Sequence, residues 1–228
     1  MFILRRLDGV PPESFQNQIR QLVIDHVGQL SSVAISPDNP LYPLYQYGVG
    51  MEAHQYLMAL DGTRGLAVEL ILALDAEAPD RLLGFALALP AQDDAQACSL
   101  TYLAVLPSHR RQGIARALLD DLRARYANVE LSAFVEQVPW FEAMGMQVVA
   151  SAGPQVLMSS TGRASGALIG RLDIAPIYQS TEVRQIHAYL LKQQGEEAMV
   201  EAERLRDERL DSLAEQAQAC VKQRLTRH

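Results

Sequence analysis

The chain has 228 residues, 49% hydrophobic and 21% charged, with a formal charge of −7, which excludes general disorder and a basic surface spread over the whole molecule. No apolar run reaches the 18 residues of a membrane helix, and the opening Met1-Phe-Ile-Leu-Arg-Arg-Leu lacks the basic region that precedes a signal sequence's apolar stretch. Two widely separated cysteines, Cys98 and Cys220, make neither a disulfide scaffold nor a metal site, so the expectation is a reduced, cytoplasmic protein with no nucleic-acid, membrane or metal partner.

Residues 1–6 read as a short strand. Pro11-Pro12-Glu13 opens a helix, and Phe15, Ile19, Leu22, Val23, His26, Val27 and Leu30 recur on one buried face of it. Residues 31–50 hold three prolines with Ser36, Asp38 and Asn39 and read as a loop; Met51–Leu60 is a second helix, closed by Asp61-Gly62. Strands follow at Leu66–Leu74, whose one charge is Glu69, at Leu82–Leu89 and at Ala97–Val105. Ile114, Ala117, Leu118, Leu122 and Tyr126 mark a helix that begins at or just before Gly113. Val129–Val135 is a strand, Pro139–Met144 a short helix, and Met146–Ala150 and Gln155–Met158 are strands. Residues 159–176 read as a linker or loose strand, and Ser180 caps a helix to about Gln193. Beyond Gly195 lies one long helix whose Leu210, Leu213, Ala217 and Cys220 or Val221 form an apolar seam, for its own domain or for a second subunit.

The charge is uneven. Residues 1–160 hold 10 basic and 17 acidic side chains and residues 161–228 hold 10 of each, yet Arg110, Arg111, Arg116, Arg123 and Arg125 cluster within 16 positions of the acidic part. Such a patch attracts an anion, or forms a solvated helix face with Arg116–Asp120 and Asp121–Arg125 pairs. In Leu103-Ala104-Val105-Leu106-Pro107-Ser108-His109-Arg110-Arg111-Gln112-Gly113-Ile114-Ala115-Arg116 an apolar strand runs through a turn into a helix at a glycine. The open N–H groups and positive dipole end of a first helical turn suit a phosphate or pyrophosphate.

On these residues the sequence resembles the GNAT superfamily of N-acetyltransferases. Arg110-Arg111-Gln112-Gly113-Ile114-Ala115 matches the Arg/Gln-x-x-Gly-x-Gly/Ala signature, flanked by Leu-Ala-Val-x-Pro upstream and Ala-x-x-Leu-Leu downstream, and the order of elements in residues 1–158 agrees. The resemblance implies an α/β (α+β) fold: a mixed, central, splayed sheet of about seven strands flanked by helices, in a domain of residues 1–160. Residues 161–228 form a linker and C-terminal helical extension outside it. It further implies direct transfer of acetyl from acetyl-CoA, with no metal, to an amine-bearing small molecule or peptide. Leu103, Ala104 and Val105 would hold the pantetheine arm through their backbone, and Arg110, Arg111, Gln112, Gly113, Ile114, Ala115 and Arg116 would hold the pyrophosphate. The Val105 N–H would polarise the thioester carbonyl.

The sequence departs from the family at the residues that move protons. Phe141 stands where a tyrosine often protonates the leaving thiolate, Met146 replaces the later Phe, and Ser99 stands where some relatives carry a general-base glutamate. A thiol pKa near 8.5 makes the thiolate a tolerable leaving group, and losing a general acid costs roughly 10²–10⁴-fold. Tyr102 and Ser99 are the nearest polar candidates for catalysis, placed by simple alternation on opposite faces of their strand. Tyr42, Tyr45 and Tyr47 with Asp38 are candidates for a cationic acceptor. Gly48-Val49-Gly50-Met51-Glu52-Ala53 fits a dinucleotide pattern without a βαβ context, and His26, His54, His109, His187 and His228 show no zinc spacing. The alternatives are a non-catalytic acyl-CoA-binding regulatory module and an interaction protein whose C-terminal helices form a homodimer or grip another partner.

Overall fold

The computed structural model describes residues 1–62 and 64–226; Thr63, Arg227 and His228, the last of the five histidines, lie outside the described residues. Seven strands build one sheet: β1 (Phe2–Leu7), β2 (Glu69–Asp75), β3 (Leu82–Pro90), β4 (Ala97–Val105), β5 (Asn128–Ala133), β6 (Gln147–Ala152) and β7 (Gln155–Ser159). Their order is β1-β2-β3-β4-β5-β7-β6, antiparallel except for β4 beside β5. The near-continuous apolar runs of β2, β3 and β4 follow from coverage on both faces. Helices α1 (Glu13–Asp25), α2 (Val27–Leu30) and α3 (Tyr42–Met58) cover one face, and α4 (Ile114–Arg123) and α5 (Val138–Ala143) cover the other. Leu118, Leu119 and Leu122 of α4 are fully buried, each contributing about 1.5–3 kcal/mol of apolar burial.

Two details of the sheet position the site. The parallel β4–β5 register runs only from Ala97↔Asn128 to Leu100↔Leu131; past it β4 stays with β3 and β5 stays with β7, so the sheet splays. In the β3–β4 ladder Leu87 pairs with Tyr102 but Ala88 pairs with Leu100, which leaves Thr101 as an extra residue, a β-bulge.

The loop expected over residues 31–50 is corrected: α3 starts at Tyr42. Pro43 sits in its first turn, where a missing N–H costs nothing. Gly48 is a packing position, because a Cβ there would lie 2.5 Å from the Tyr178 hydroxyl. The glycine pattern is therefore helix interior. The lone charge of β2 is also accounted for: Glu69 accepts from Arg125 at 2.8 Å and from the Tyr126 hydroxyl at 2.6 Å. Asp121 takes Arg6 at 2.8 Å, Arg125 takes Glu69 and Arg116 the Ala143 carbonyl, while Asp120 pairs with Arg123 on its own helix at 3.9 Å, so the expected Arg116–Asp120 and Asp121–Arg125 pairs do not form.

Residues 163–174 are fastened along the sheet. Gln92 N–H donates to the Leu168 carbonyl at 2.8 Å, Ala91 bridges Ile169, and Leu172 N–H donates to the Tyr56 hydroxyl at 3.3 Å. Then come α6 (Ala175–Tyr178), α7 (Thr181–Gln194) and the 30-residue α8 (Glu196–Leu225). The seam of α8 is buried on its own domain: Leu213 packs with Ala34 and Phe134, and Ala217 and Cys220 join the core under β6 and β7. Earlier in α8, the Ala202 carbonyl accepts from Asn39 at 3.0 Å, Arg206 donates to the Tyr45 hydroxyl at 3.2 Å, and Arg209 donates to the Ala34 carbonyl at 2.8 Å. Near its end Arg224 donates to Glu142 at 3.0 Å. The helix thus holds both arms of the splayed sheet.

Candidate active site

β4 ends in a short 3-10 turn, Pro107–His109, and the chain re-enters helix through Arg111 (φ 62°) and Gly113 (φ 81°). Arg111 is the one described non-glycine residue with positive φ, a cost of order 1–3 kcal/mol of the kind held at ligand-binding turns. The first backbone bond of α4 runs from Ala117 N–H to the Gly113 carbonyl at 2.9 Å, and no side chain caps the helix. The amides of its first turn therefore have no intrahelical partner.

A cleft of about 620 Å³ opens in front of that turn. Of the ten residues expected to hold a cofactor, nine line it: Leu103, Ala104, Val105, Arg110, Arg111, Gly113, Ile114, Ala115 and Arg116. Gln112 does not, because its side chain turns back toward the Ser108 carbonyl. Arg110 donates to the Val105 carbonyl at 3.3 Å, and Arg116 donates to the Ala143 carbonyl at 2.7 Å, which ties the turn to both arms of the splay. Leu106 N–H donates to Leu83 across the β3–β4 ladder, so by antiparallel alternation the N–H groups of Leu103 and Val105 point away from β3, into the gap. His26, expected in a packed core, is half-exposed at this cleft, its Nδ1 2.9 Å from the Leu22 carbonyl. Arg209 and Leu213 of α8 close the opposite wall, a contribution from the C-terminal helix that no local sequence pattern locates. Open amides with converging guanidinium groups fit a cofactor bearing phosphates on an extended arm, as coenzyme A does.

Behind the gap lies a second cavity, of about 280 Å³. Gln29, Leu30, Leu103, Gln137 and Trp140 line both cavities, which therefore meet at Leu103. Ser99 and Tyr102 both line the second one. Alternation would part them, but the extra residue at Thr101 brings Tyr102 back to the face that Ser99 occupies. The Thr101 hydroxyl is buried in this wall with no partner among the described residues. Phe141 is part of the wall as well, packed against Trp140 with ring centroids 4.6 Å apart, and it brings no hydroxyl.

Two residues of this cavity, Glu52 and Arg171, were not among the candidates singled out from the sequence. Glu52 and Tyr56, four apart on α3, face the cavity, and Tyr102 of β4 lines it too, near enough to the Glu52 carboxylate for each group to shift the other's pKa. Burial pushes the Glu52 pKa above the ordinary carboxylate value, with Tyr102 and the Arg171 charge pulling partly back. Burial and the neighbouring Glu52 raise Tyr102 well above a normal phenol, so it remains a proton donor. Arg171 Nη2 donates to the Ser99 hydroxyl at 3.3 Å. The available signal for Glu52 was a carboxylate on the same stripe as Tyr45, Val49 and Tyr56; Arg171 had none, being placed by the chain crossing back over the sheet. Asp38, Tyr42, Tyr45 and Tyr47 lie outside this cavity: Asp38 bonds Ser36, and Tyr45 packs on Tyr178 and takes Arg206. Cys98, in the opposite core, has its thiol pushed by burial up to about 12 and is no nucleophile. No group of three or more metal-ligating side chains exists among the described residues, and no described helix is long and apolar enough to cross a membrane.

Residues 68–147 match the family model described as an acetyltransferase (GNAT) domain. No curated protein matches the chain. Among solved structures it is similar to an aminoglycoside 6'-acetyltransferase type Ii, at 17% identity and a TM-score of 0.50 over 69% of this chain and 95% of that one. It is also similar to the PaiA N-acetyltransferase of Thermoplasma acidophilum in complex with coenzyme A, at 13% identity and a TM-score of 0.50 over 70% and 98%. Residues 68–147 thus match a GNAT acetyltransferase domain, and the chain has a GNAT-like fold, a splayed seven-stranded mixed sheet flanked by helices.

Proposed function

We propose that the protein transfers acetyl from acetyl-CoA to an amine by direct attack in a ternary complex. The observation that carries this reading is the meeting of two cavities at Leu103 through the gap between β4 and β5: one is lined by phosphate-binding features, the other by a buried carboxylate–phenol pair. The cofactor's phosphates lie against the first turn of α4 with Arg110, Arg111 and Arg116, and Arg209 of α8 adds a fourth guanidinium from across the cleft. The thioester carbonyl takes the N–H of Leu103 rather than that of Val105, since Leu103 stands at the junction and Val105 lines the cofactor side alone.

The amine nitrogen bonds to the thioester carbon, the carbon–sulfur bond breaks, and sulfur leaves as thiolate. A bound ammonium first gives one proton to Glu52, which its raised pKa makes a stronger base than an ordinary carboxylate. The Tyr102 hydroxyl gives a proton to the leaving sulfur and is reprotonated by Glu52, which then takes the second amine proton from nitrogen and releases it to solvent, so Tyr102 fills the role that Phe141 lacks the oxygen for. Ser99 holds Arg171 and moves no proton. A non-catalytic acyl-CoA-binding module, the reading Phe141 favours, predicts binding without turnover. The test is thiol release from acetyl-CoA with a panel of amines: release that requires Glu52 supports the enzyme, and tight acetyl-CoA binding with no release from any amine supports the module.

A further inference from the structure

The second cavity has a charge pattern that selects among amines, a selection that rests on the acetyl-transfer reading above. Among the described residues Glu52 and Arg171 are the only charged ones in its wall, and Arg171 makes no ion pair with any of them, its side-chain bond being to the Ser99 hydroxyl. The cavity is therefore close to neutral, with a carboxylate on α3 and a guanidinium on the strap that crosses the sheet. The buried Thr101 hydroxyl in the same wall also lacks a partner among the described residues. A polyamine brings two or more cations against one carboxylate and meets Arg171 as a like charge. A lysine side chain or simple amine satisfies Glu52 and leaves the guanidinium unanswered. At about 280 Å³ the space lies at the low end of small-molecule sites.

We infer that the acceptor is a free amino acid or similar amino carboxylate with an uncharged side chain, its amine on Glu52, its carboxylate on Arg171 and Ser99, and its side chain among Leu30, Leu131, Trp140 and Phe141. Guanidinium and carboxylate make a charge-assisted, often bidentate pair, while the rest of the lining, apolar side chains with uncharged polar ones such as Gln29, Gln137 and Gln155, offers no countercharge for a charged side chain. Transfer then makes the N-acetyl amino acid: the nitrogen–carbon bond forms, the thioester bond breaks, and the ammonium's two surplus protons leave through Glu52 and to sulfur as described.

The test compares thiol release from acetyl-CoA with uncharged amino acids, the same amino acids as amides, and spermidine, using wild type and Arg171→Gln. Arg171 is exposed and lies outside the regular strands and helices, so melting of the variant checks that it folds as wild type does. Wild type prefers acid over amide by about 10–100-fold in kcat/KM, the size of a hydrogen bond to a charged group. In Arg171→Gln the acid's KM rises and the acid-over-amide preference falls to within about threefold, read as a ratio so that the effect of the lost charge on Glu52, common to both substrates, cancels. Equal loss on both substrates, or better turnover of amides or spermidine by wild type, overturns the inference. If no amine releases thiol, binding of the same amino acids to the coenzyme A-loaded protein is measured by saturation-transfer NMR. Binding that needs Arg171 keeps the acceptor class while refuting acetyl transfer; absence of binding overturns the acceptor class itself.

Discussion

Removing the Arg209 guanidinium tests whether the C-terminal helix belongs to the cofactor site. Arg209 is an exposed side chain of α8 on the cleft wall facing the arginines of the α4 turn, held by its 2.8 Å bond to the Ala34 carbonyl. A hydrogen bond to a charged group contributes about 1.5–3 kcal/mol, whereas exposed ion pairs contribute about 0–1. A guanidinium on an open cleft wall lies between, at about 1–2 kcal/mol, which is a loss of roughly 5–30-fold in acetyl-CoA affinity for Arg209→Ala. Losing the Ala34 bond adds a stability cost of about 0.5–1.5 kcal/mol, a fall of a few degrees in Tm. The assay is calorimetric titration of acetyl-CoA at low salt and near 1 M salt, where the screening length shrinks from about 10 to 3 Å and the difference between variant and wild type narrows. Arg204→Ala is the control: Arg204 sits on the same helix, pairs with Glu201 and Glu208, and is no part of the cleft. Affinity of Arg209→Ala within about twofold of wild type at low salt, or an equal loss in the Arg204 control, refutes a role for α8 in holding the cofactor.

Glu52→Gln lowers kcat by roughly 10²–10⁴-fold and abolishes the acidic limb of the kcat/KM profile, which in wild type lies above the ordinary carboxylate range because burial raises this group. The same shift sets a stability signature. A carboxyl raised in the fold stabilises it below the unfolded pKa of about 4.3, and that stability is lost as pH rises through the folded value, so Glu52→Gln melts above wild type at pH 8 and shows no such advantage at pH 4. Gly48→Ala drives a Cβ to 2.5 Å from the Tyr178 hydroxyl and lowers stability by about 1–3 kcal/mol, read by denaturant melts, with acetyl-CoA affinity unchanged. Cys98→Ala keeps acetyl transfer within a few-fold, and mass spectrometry of wild type with acetyl-CoA alone finds no acetylated thiol, as its pKa of about 12 requires.

The cleft proposed for the cofactor was legible because its determinants are local in the chain: an apolar strand, a proline, adjacent arginines and a glycine that starts a helix all fall within residues 97–116. The second cavity, proposed for the acceptor, was not, for three physical reasons. The bulge at Thr101 exists only in the pairing of β4 with β3, and strand alternation read from one sequence has no term for it. The first turns of α3 look like loop by composition, and tertiary packing of Gly48 on Tyr178 outweighs that preference. Glu52 and Arg171 meet only because the stretch that reads as a linker is fastened across the sheet by Gln92, Asp93 and Tyr56. The seam of α8 was visible as a pattern, but which surface it covers depends on the shape of the splay it bridges.

Acetyl-CoA is proposed to lie with its arm in the gap between β4 and β5 and its phosphates on the α4 turn, and calorimetry of acetyl-CoA into wild type and Gly113→Glu tests that placement. Gly113 has φ 81° and stands at the mouth of the amide cradle, so a glutamate there is strained and sets an anion against the phosphates. The expected result is one cofactor bound per chain in wild type and no measurable binding in a folded Gly113→Glu. Binding in the variant as tight as in wild type, or none in wild type, contradicts the claim.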